Sequence, residues 1–397
     1  MLNHDERKFE SKMGLKILII IFTLSTGISI ISFTQYLQIF PGAYGLKYMS
    51  FFCFLCGLVY LYRNRLIFLN QKHFMIFIIL TISMIPSVFH SDIASITSSI
   101  LLITLSAIIV FASLFIFPKI SERSFLKLLK VLLFLIVLIV VMPSFILSFN
   151  KASYYIVGNR IRFIGYFNNP NELARFSALG FLIGARILPD IKKILSKMIL
   201  IVLILIAIYI IYISDSRAAI LLCGVSTAIF LFNWSYIKVS KRLTLLITVL
   251  ILLTLFTVGI HKVIVEYRVL GFYAIDQLTS GRLSIWVNLL KEKSIMELIF
   301  GIGSHRSGLA ATQILANGYI EVLMYFGLLG LLQWLGLVIY LLNKKIKSVI
   351  RNNNINQYNG IAIIIGFLIY FIFEGGLISV GNIVGIYFWL ELSQTKA

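Results

Sequence analysis

The sequence predicts an all-α protein, a polytopic membrane bundle of about twelve transmembrane helices with a large helical loop between the ninth and tenth. Three observations predict it. Of 397 residues, 60% are hydrophobic and 13% charged, and the mean hydropathy is +0.98, whereas a soluble domain is about a quarter charged. Apolar runs such as "KMILIVLILIAIYIIYI" approach the about 20 residues that cross an ~30 Å hydrocarbon core. Lys and Arg are rich in every second connecting segment and scarce in the short segments between, which is the asymmetry of cytoplasmic and outer loops.

In chain order, the apolar stretches place spans at roughly 15–35, 43–62, 73–90, 96–117, 125–149, 171–188, 194–213, 217–236, 243–260, 317–342, 358–374 and 378–392. They form one integral membrane domain over 1–397. The span after "NNPNELARFSALG" is the more polar one, and "FEGGLISVGN" interrupts the last pair. Basic clusters at 7–16, 63–72, 119–127, 192–197, 238–242 and 344–351 read as cytoplasmic, and "LQIFPGAY", "HSD" and "SDS" as outer turns. Both termini are then cytoplasmic. The first run, Leu15 to Phe33, is long enough to stay as a signal anchor, and no cleavable signal peptide is evident.

The net charge of +20 suits cytoplasmic loops against anionic lipid, so no nucleic-acid partner is expected. Cys53 and Cys56 sit in an apolar segment with no His or second pair at ligand spacing, and read as packing. No metal and no cofactor is expected.

Two outer segments depart from the charge bias. Residues 150–170 carry Lys151, Arg160 and Arg162 with no acid, and the loop 261–316 carries six basic residues and four acids. Arg217, after "SDS", stands at the outer mouth of a helix, and Arg282 lies in "SGRLSIW" behind Gly281, which lets the chain turn. One such arginine alone reads as a headgroup anchor. Several on one face, each a planar fork of donors, point to an anionic group carrying phosphate oxygens. Leu283, Trp286, Leu289 and Leu290 share a helical face, so residues from Arg282 onward read as an amphipathic helix with Trp286 at headgroup level. "FGIGSHRSG" reads as a glycine hinge carrying His305 and Arg306. His305 and Glu321 are the candidate bases, Glu321 one turn beyond Asn317.

These fragments, in this order, resemble the bacterial O-antigen polymerase and O-antigen ligase family, over about residues 155–345. "RFIGYFNNPNELA", with Asn171, looks like its Gly-…-Asn-Pro-Asn stretch, and "SDSRAA" like its Ser-x-Ser-Arg. "SGRLSIW" looks like its Gly-Arg-…-Trp motif, "FGIGS" like the turn that follows, and "NGYIEVLMYFGLLG" like its Asn-led helix with a later Gly-x-x-Gly. The resemblance implies glycosyl transfer from an undecaprenyl-pyrophosphate-linked glycan at the outer face of the bacterial cytoplasmic membrane, without nucleotide sugar or metal. It puts Arg217 and Arg282 on the pyrophosphate, with Arg160, Arg162, Asn171, Gly281, Trp286, Arg306 and Asn317 in the substrate surroundings. Membrane lipid is a partner, and a chain-length regulator protein is a further candidate. Ala316 stands where ligases carry a His, which favours polymerase over ligase. A lipid-linked sugar flippase is the rival of another class. It calls for a basic cavity open to both sides, whereas these arginines crowd one face.

Overall fold

The computed structural model describes residues 70–89, 96–157, 160–238, 276, 281–303, 317–352, 355–378 and 382–394, with isolated positions between 20 and 31. The expected spans at 43–62 and 243–260, and nearly all of 15–35, lie outside the described residues.

Described residues are mostly helical. Helices α1 (Gln71–Phe89), α2 (Ile96–Lys119) and α3 (Glu122–Leu147) come first, α2 and α3 each containing a π-helical turn. A hairpin of β1 (Tyr154–Val157) and β2 (Arg160–Phe163) follows, then α4 (Pro170–Ile187), α5 (Ile194–Ile213) and α6 (Arg217–Lys238). After the long loop come α7 (Arg282–Lys291), α8 (Ile295–Phe300), α9 (Gly318–Asn352), α10 (Ile355–Phe373) and α11 (Ile383–Ser393). Five helices are long and apolar enough to cross a membrane: α1, α2, α3, α5 and α9.

Local chemistry sets the helix starts. Asn169 accepts from the Asn171 N–H at 2.9 Å, Pro170 occupies the first turn of α4, and Glu172 follows it near the positive end of the dipole. Asn317 accepts from Tyr319 and Ile320 N–H at 2.9 and 3.0 Å to start α9, and Asn382 accepts from Val384 N–H at 3.1 Å to start α11. Ser294 and Glu297 form a reciprocal capping box on α8.

Packing centres on α4 and α11. Every residue of α11 is buried, as is most of α4. Helix α6 lies so close to α10 that a side chain at Gly366 would overlap the Ser226 hydroxyl, the small-residue contact by which helices associate in lipid. The apolar faces of α3 and α5 point outward, with Phe134, Leu138, Met198 and Val202 exposed.

Three expectations are corrected. The fold is not purely α: "YYIV" and "RIRF" pair antiparallel, Tyr154 with Phe163 through Val157 with Arg160. Aromatic and β-branched residues favour that pairing, and Phe163 buries itself against the Tyr154 ring at 5.2 Å. Helix α9 runs to Asn352 instead of ending near 342, because no Pro or Gly stops it and Lys345 turns inward to a carboxylate. Helix α11 starts at Ile383 instead of near 378 and has 11 residues, about 16 Å.

Helix α9 also breaks. Gly327 has φ 70° and ψ −175°, and Gly301, at φ 83°, lies against it. A Cβ on Gly301 would overlap the Tyr325 carbonyl, and one on Gly327 would overlap the Ile299 carbonyl. Ile302 N–H donates to Met324 O at 2.8 Å and Gly303 N–H to Tyr325 O at 3.2 Å, so the segment after α8 donates to the α9 carbonyls that the break frees. The "GIG" turn and the first glycine of "GLLG" therefore form one crossing.

Candidate active site

One end of the bundle collects the start of α4, the α5–α6 turn, the start of α9, the end of α10 and the start of α11. Arg162, from β2, crosses this end. Its Nε donates to Ser214 O at 3.0 Å, and its Nη2 donates to Asp215 O at 3.1 Å and to Asn171 Oδ1 at 2.6 Å. Arg162 thus binds the "SDS" turn to the first turn of α4. Asp215 holds a left-handed backbone there, φ 49°, which lets α5 end and α6 begin at Arg217 within a few residues.

One turn along α4, Arg175 stands 3.9 Å from Glu172 and within electrostatic range of Tyr370, Glu374 and Glu321. Glu321, on the first turn of α9, accepts the Gly376 N–H at 2.8 Å. The Gly318 N–H donates to Glu374 O at 3.1 Å, which ties α9 to the end of α10. Arg282, the first residue of α7, donates through Nη1 to Phe373 O, and its Nη2 lies 3.5 Å from Glu374 Oε1. A cation at a helix C-terminus complements the dipole, so Arg282 also docks α7 onto α10.

Residues from Arg162 and Asn171 through Arg175 to Glu321, Glu374 and Arg282 thus form a polar band, and Arg217 begins α6 just after the turn that Arg162 holds. Four helix N-termini (α4, α6, α9 and α11) meet the band, against the C-termini of α5 and α10, which adds positive partial charge. Tyr370 is 1% exposed, close to Arg175, Glu374 and Arg282, and its hydroxyl has no hydrogen-bond partner among the described residues. Outside the spans, burial raises the Tyr154 and Tyr166 phenols above their ordinary range, so neither supplies a phenolate at neutral pH.

The structure brings Arg162, Asn171, Arg217, Arg282, Asn317 and Glu321 to this end. Arg160 is in β2 opposite Val157, its side chain outside the described residues, as are His305 and Arg306 entirely. Gly281, at φ 77°, makes the turn into α7. Trp286 corrects the anchor expectation: it is 8% exposed, buried in the protein, and its indole N–H has no partner among the described residues. Sequence reasoning missed Glu172, Arg175, Tyr370 and Asn382. The signal for Arg175 was its place inside "NELAR", one turn after the capped start of a span, where an ionised group is costly. Among the described residues no three His, Cys, Asp or Glu side chains gather where they could hold a metal ion.

The fold and site define a helical protein with membrane-crossing helices and an arginine–carboxylate band at one end. No protein-family model matches the chain, and no curated protein matches it significantly.

Proposed function

We propose that this protein polymerises lipid-linked polysaccharide repeats, of the O-antigen or capsular kind, at the outer face of the cytoplasmic membrane. The band around Arg175, Arg282 and Glu321 carries the reading, because it joins permanent cations to a carboxylate at one end of an apolar bundle. The growing chain is the donor on its undecaprenyl pyrophosphate, and the terminal sugar hydroxyl of a new lipid-linked repeat is the acceptor. The acceptor oxygen bonds to the anomeric carbon of the donor as the bond from that carbon to the pyrophosphate oxygen breaks. The hydroxyl proton passes to Glu321, and lipid pyrophosphate leaves.

Arg282 and Arg217 offset the charge developing on the departing pyrophosphate, and Arg175 adds a third cation from α4. A guanidinium has five donors, so Arg282 offers the anion donors beyond those turned to Phe373 and Glu374. Glu321 is the assigned base because its carboxylate is oriented by the Gly376 amide.

The reading includes twelve spans with both termini cytoplasmic, supported by the recurrence of basic clusters along the chain. Labelling then marks Ser307→Cys from outside in intact spheroplasts, and Ser348→Cys only after permeabilisation. The reverse pattern removes the proposed topology. A deletion strain tests the activity: lipopolysaccharide with a single repeat on its core supports a polymerase, and core with no repeat supports a ligase.

A further inference from the structure

At the end of α4 away from the band, a cleft of about 490 Å³ opens between α3 and the start of α5. Lys130 comes from α3, while Lys192 and Lys193 come from the linker into α5. Asp190 and Ser196 complete the polar lining, and Leu133, Ile199 and Leu203 line the cleft further along the helices. The flanking faces are apolar and exposed: Ile194, Leu195 and Met198 on α5, and Phe134 on α3. A single lysine at a span end reads as a snorkelling anchor. Here three lysines from two chain segments share one cleft with an apolar floor, which matches a molecule with an anionic head and hydrocarbon chains.

We propose that this cleft is a binding site for an anionic phospholipid of the surrounding membrane. The phosphate lies among Lys130, Lys192 and Lys193, and the acyl chains lie along Leu133, Ile199 and Leu203. Asp190 and Ser196 accept from headgroup hydroxyls, so phosphatidylglycerol suits the cleft. Each basic side chain near a membrane surface attracts anionic lipid measurably, and grouping them makes the attraction local. The inference needs only that the helices lie in a membrane, so it stands apart from the polymerase reading.

Native mass spectrometry of the full chain in detergent, with phosphatidylglycerol or phosphatidylcholine of identical chains added, tests it. Phosphatidylglycerol binds more tightly, by about tenfold or more, and Lys130→Gln/Lys192→Gln/Lys193→Gln weakens it on the order of a hundred-fold. Lys151→Gln/Lys347→Gln, at positions outside the cleft, leaves binding unchanged. A Leu203→Trp protein loses fluorescence with brominated-chain phosphatidylglycerol, and inorganic phosphate at about tenfold excess over the lipid does not restore it. If the triple variant does not fold, the single Gln variants each show part of the loss. Equal binding of the two lipids, unchanged binding by the lysine variants, or displacement by inorganic phosphate overturns the assignment.

Discussion

At the end away from the hairpin, Arg186 meets Glu122 at 2.7 Å and Lys345 meets Glu391 at 2.9 Å, with all four side chains at most 11% exposed. At the hairpin end, Arg282 and Glu374 are 3.5 Å apart and Arg175 and Glu172 are 3.9 Å apart, and these four are 12–21% exposed. The same helices supply both clusters: α4 carries Arg175 and Arg186, and α9 carries Glu321 and Lys345. The deep cluster is closed. Glu391 faces two cations, Arg186 also lies over the Phe125 ring, and a side chain at Gly360 would overlap the Glu391 carboxylate. In the band, much of the direct bonding of Arg162 and Arg282 goes to backbone carbonyls. Charges that neutralise each other at contact distance hold helices together. Charges held by backbone and set slightly apart are what the proposed pyrophosphate site asks for.

Breaking the deep cluster has the largest expected effect. Glu391→Ala leaves Arg186 and Lys345 buried without their shared carboxylate, and removing one partner of a buried pair costs about 3–5 kcal/mol. Thermal unfolding in detergent then shows a collapse of stability, and little folded protein is recovered. A melting temperature equal to that of the unaltered protein would show that the cluster holds nothing.

Glu321→Gln sharpens the contrast from the other side. It keeps shape and most hydrogen-bonding capacity but cannot take a proton, so polymer yield falls by about a hundred-fold or more while the melting temperature stays near its starting value. Normal yield removes Glu321 as the base. Next in size is Gly327→Ala, which puts a side chain at a left-handed φ against the Ile299 carbonyl. It costs about 1–3 kcal/mol by backbone strain alone, read by chemical denaturation. A neutral result would mean that α9 need not break at this residue. The smallest effect is Trp286→Phe. The indole N–H has no partner among the described residues, so a change within about 1.5 kcal/mol is expected in the same measurement, with activity nearly unchanged.

The contrast also separates what local sequence reveals from what it hides. The spans at 73–90, 96–117, 125–149, 171–188 and 194–213 agree with α1–α5 to within a few residues, because composition sets length and because Asn169 and Pro170 mark the start of α4. The amphipathic helix after Gly281 was legible from its periodicity, but its neighbour was not, so Trp286 was assigned to lipid and lies in protein. Arg217, Arg282 and Glu321 stood out as charges beside apolar runs. Arg186 and Glu391 carry the same signal, yet their pairing depends on which faces of α4 and α11 meet, and periodicity along one helix does not specify that. The meeting of Gly301 with Gly327 is likewise a contact between distant segments. Each glycine was visible as a turn, but the crossing was not.

The central claim is that the hairpin-end band grips the pyrophosphate of a lipid-linked glycan. Polymer formation from purified lipid-linked repeat in proteoliposomes, at matched protein amount, tests it most directly. The unaltered protein should build a ladder of chain lengths. Arg282→Lys replaces a fork of donors with a point charge, and losing one charge-assisted contact of about 1.5–3 kcal/mol in the transition state slows the ladder roughly ten- to a hundred-fold. An Arg282→Lys protein that polymerises at the unaltered rate would reduce Arg282 to a cap on α10 and contradict the account.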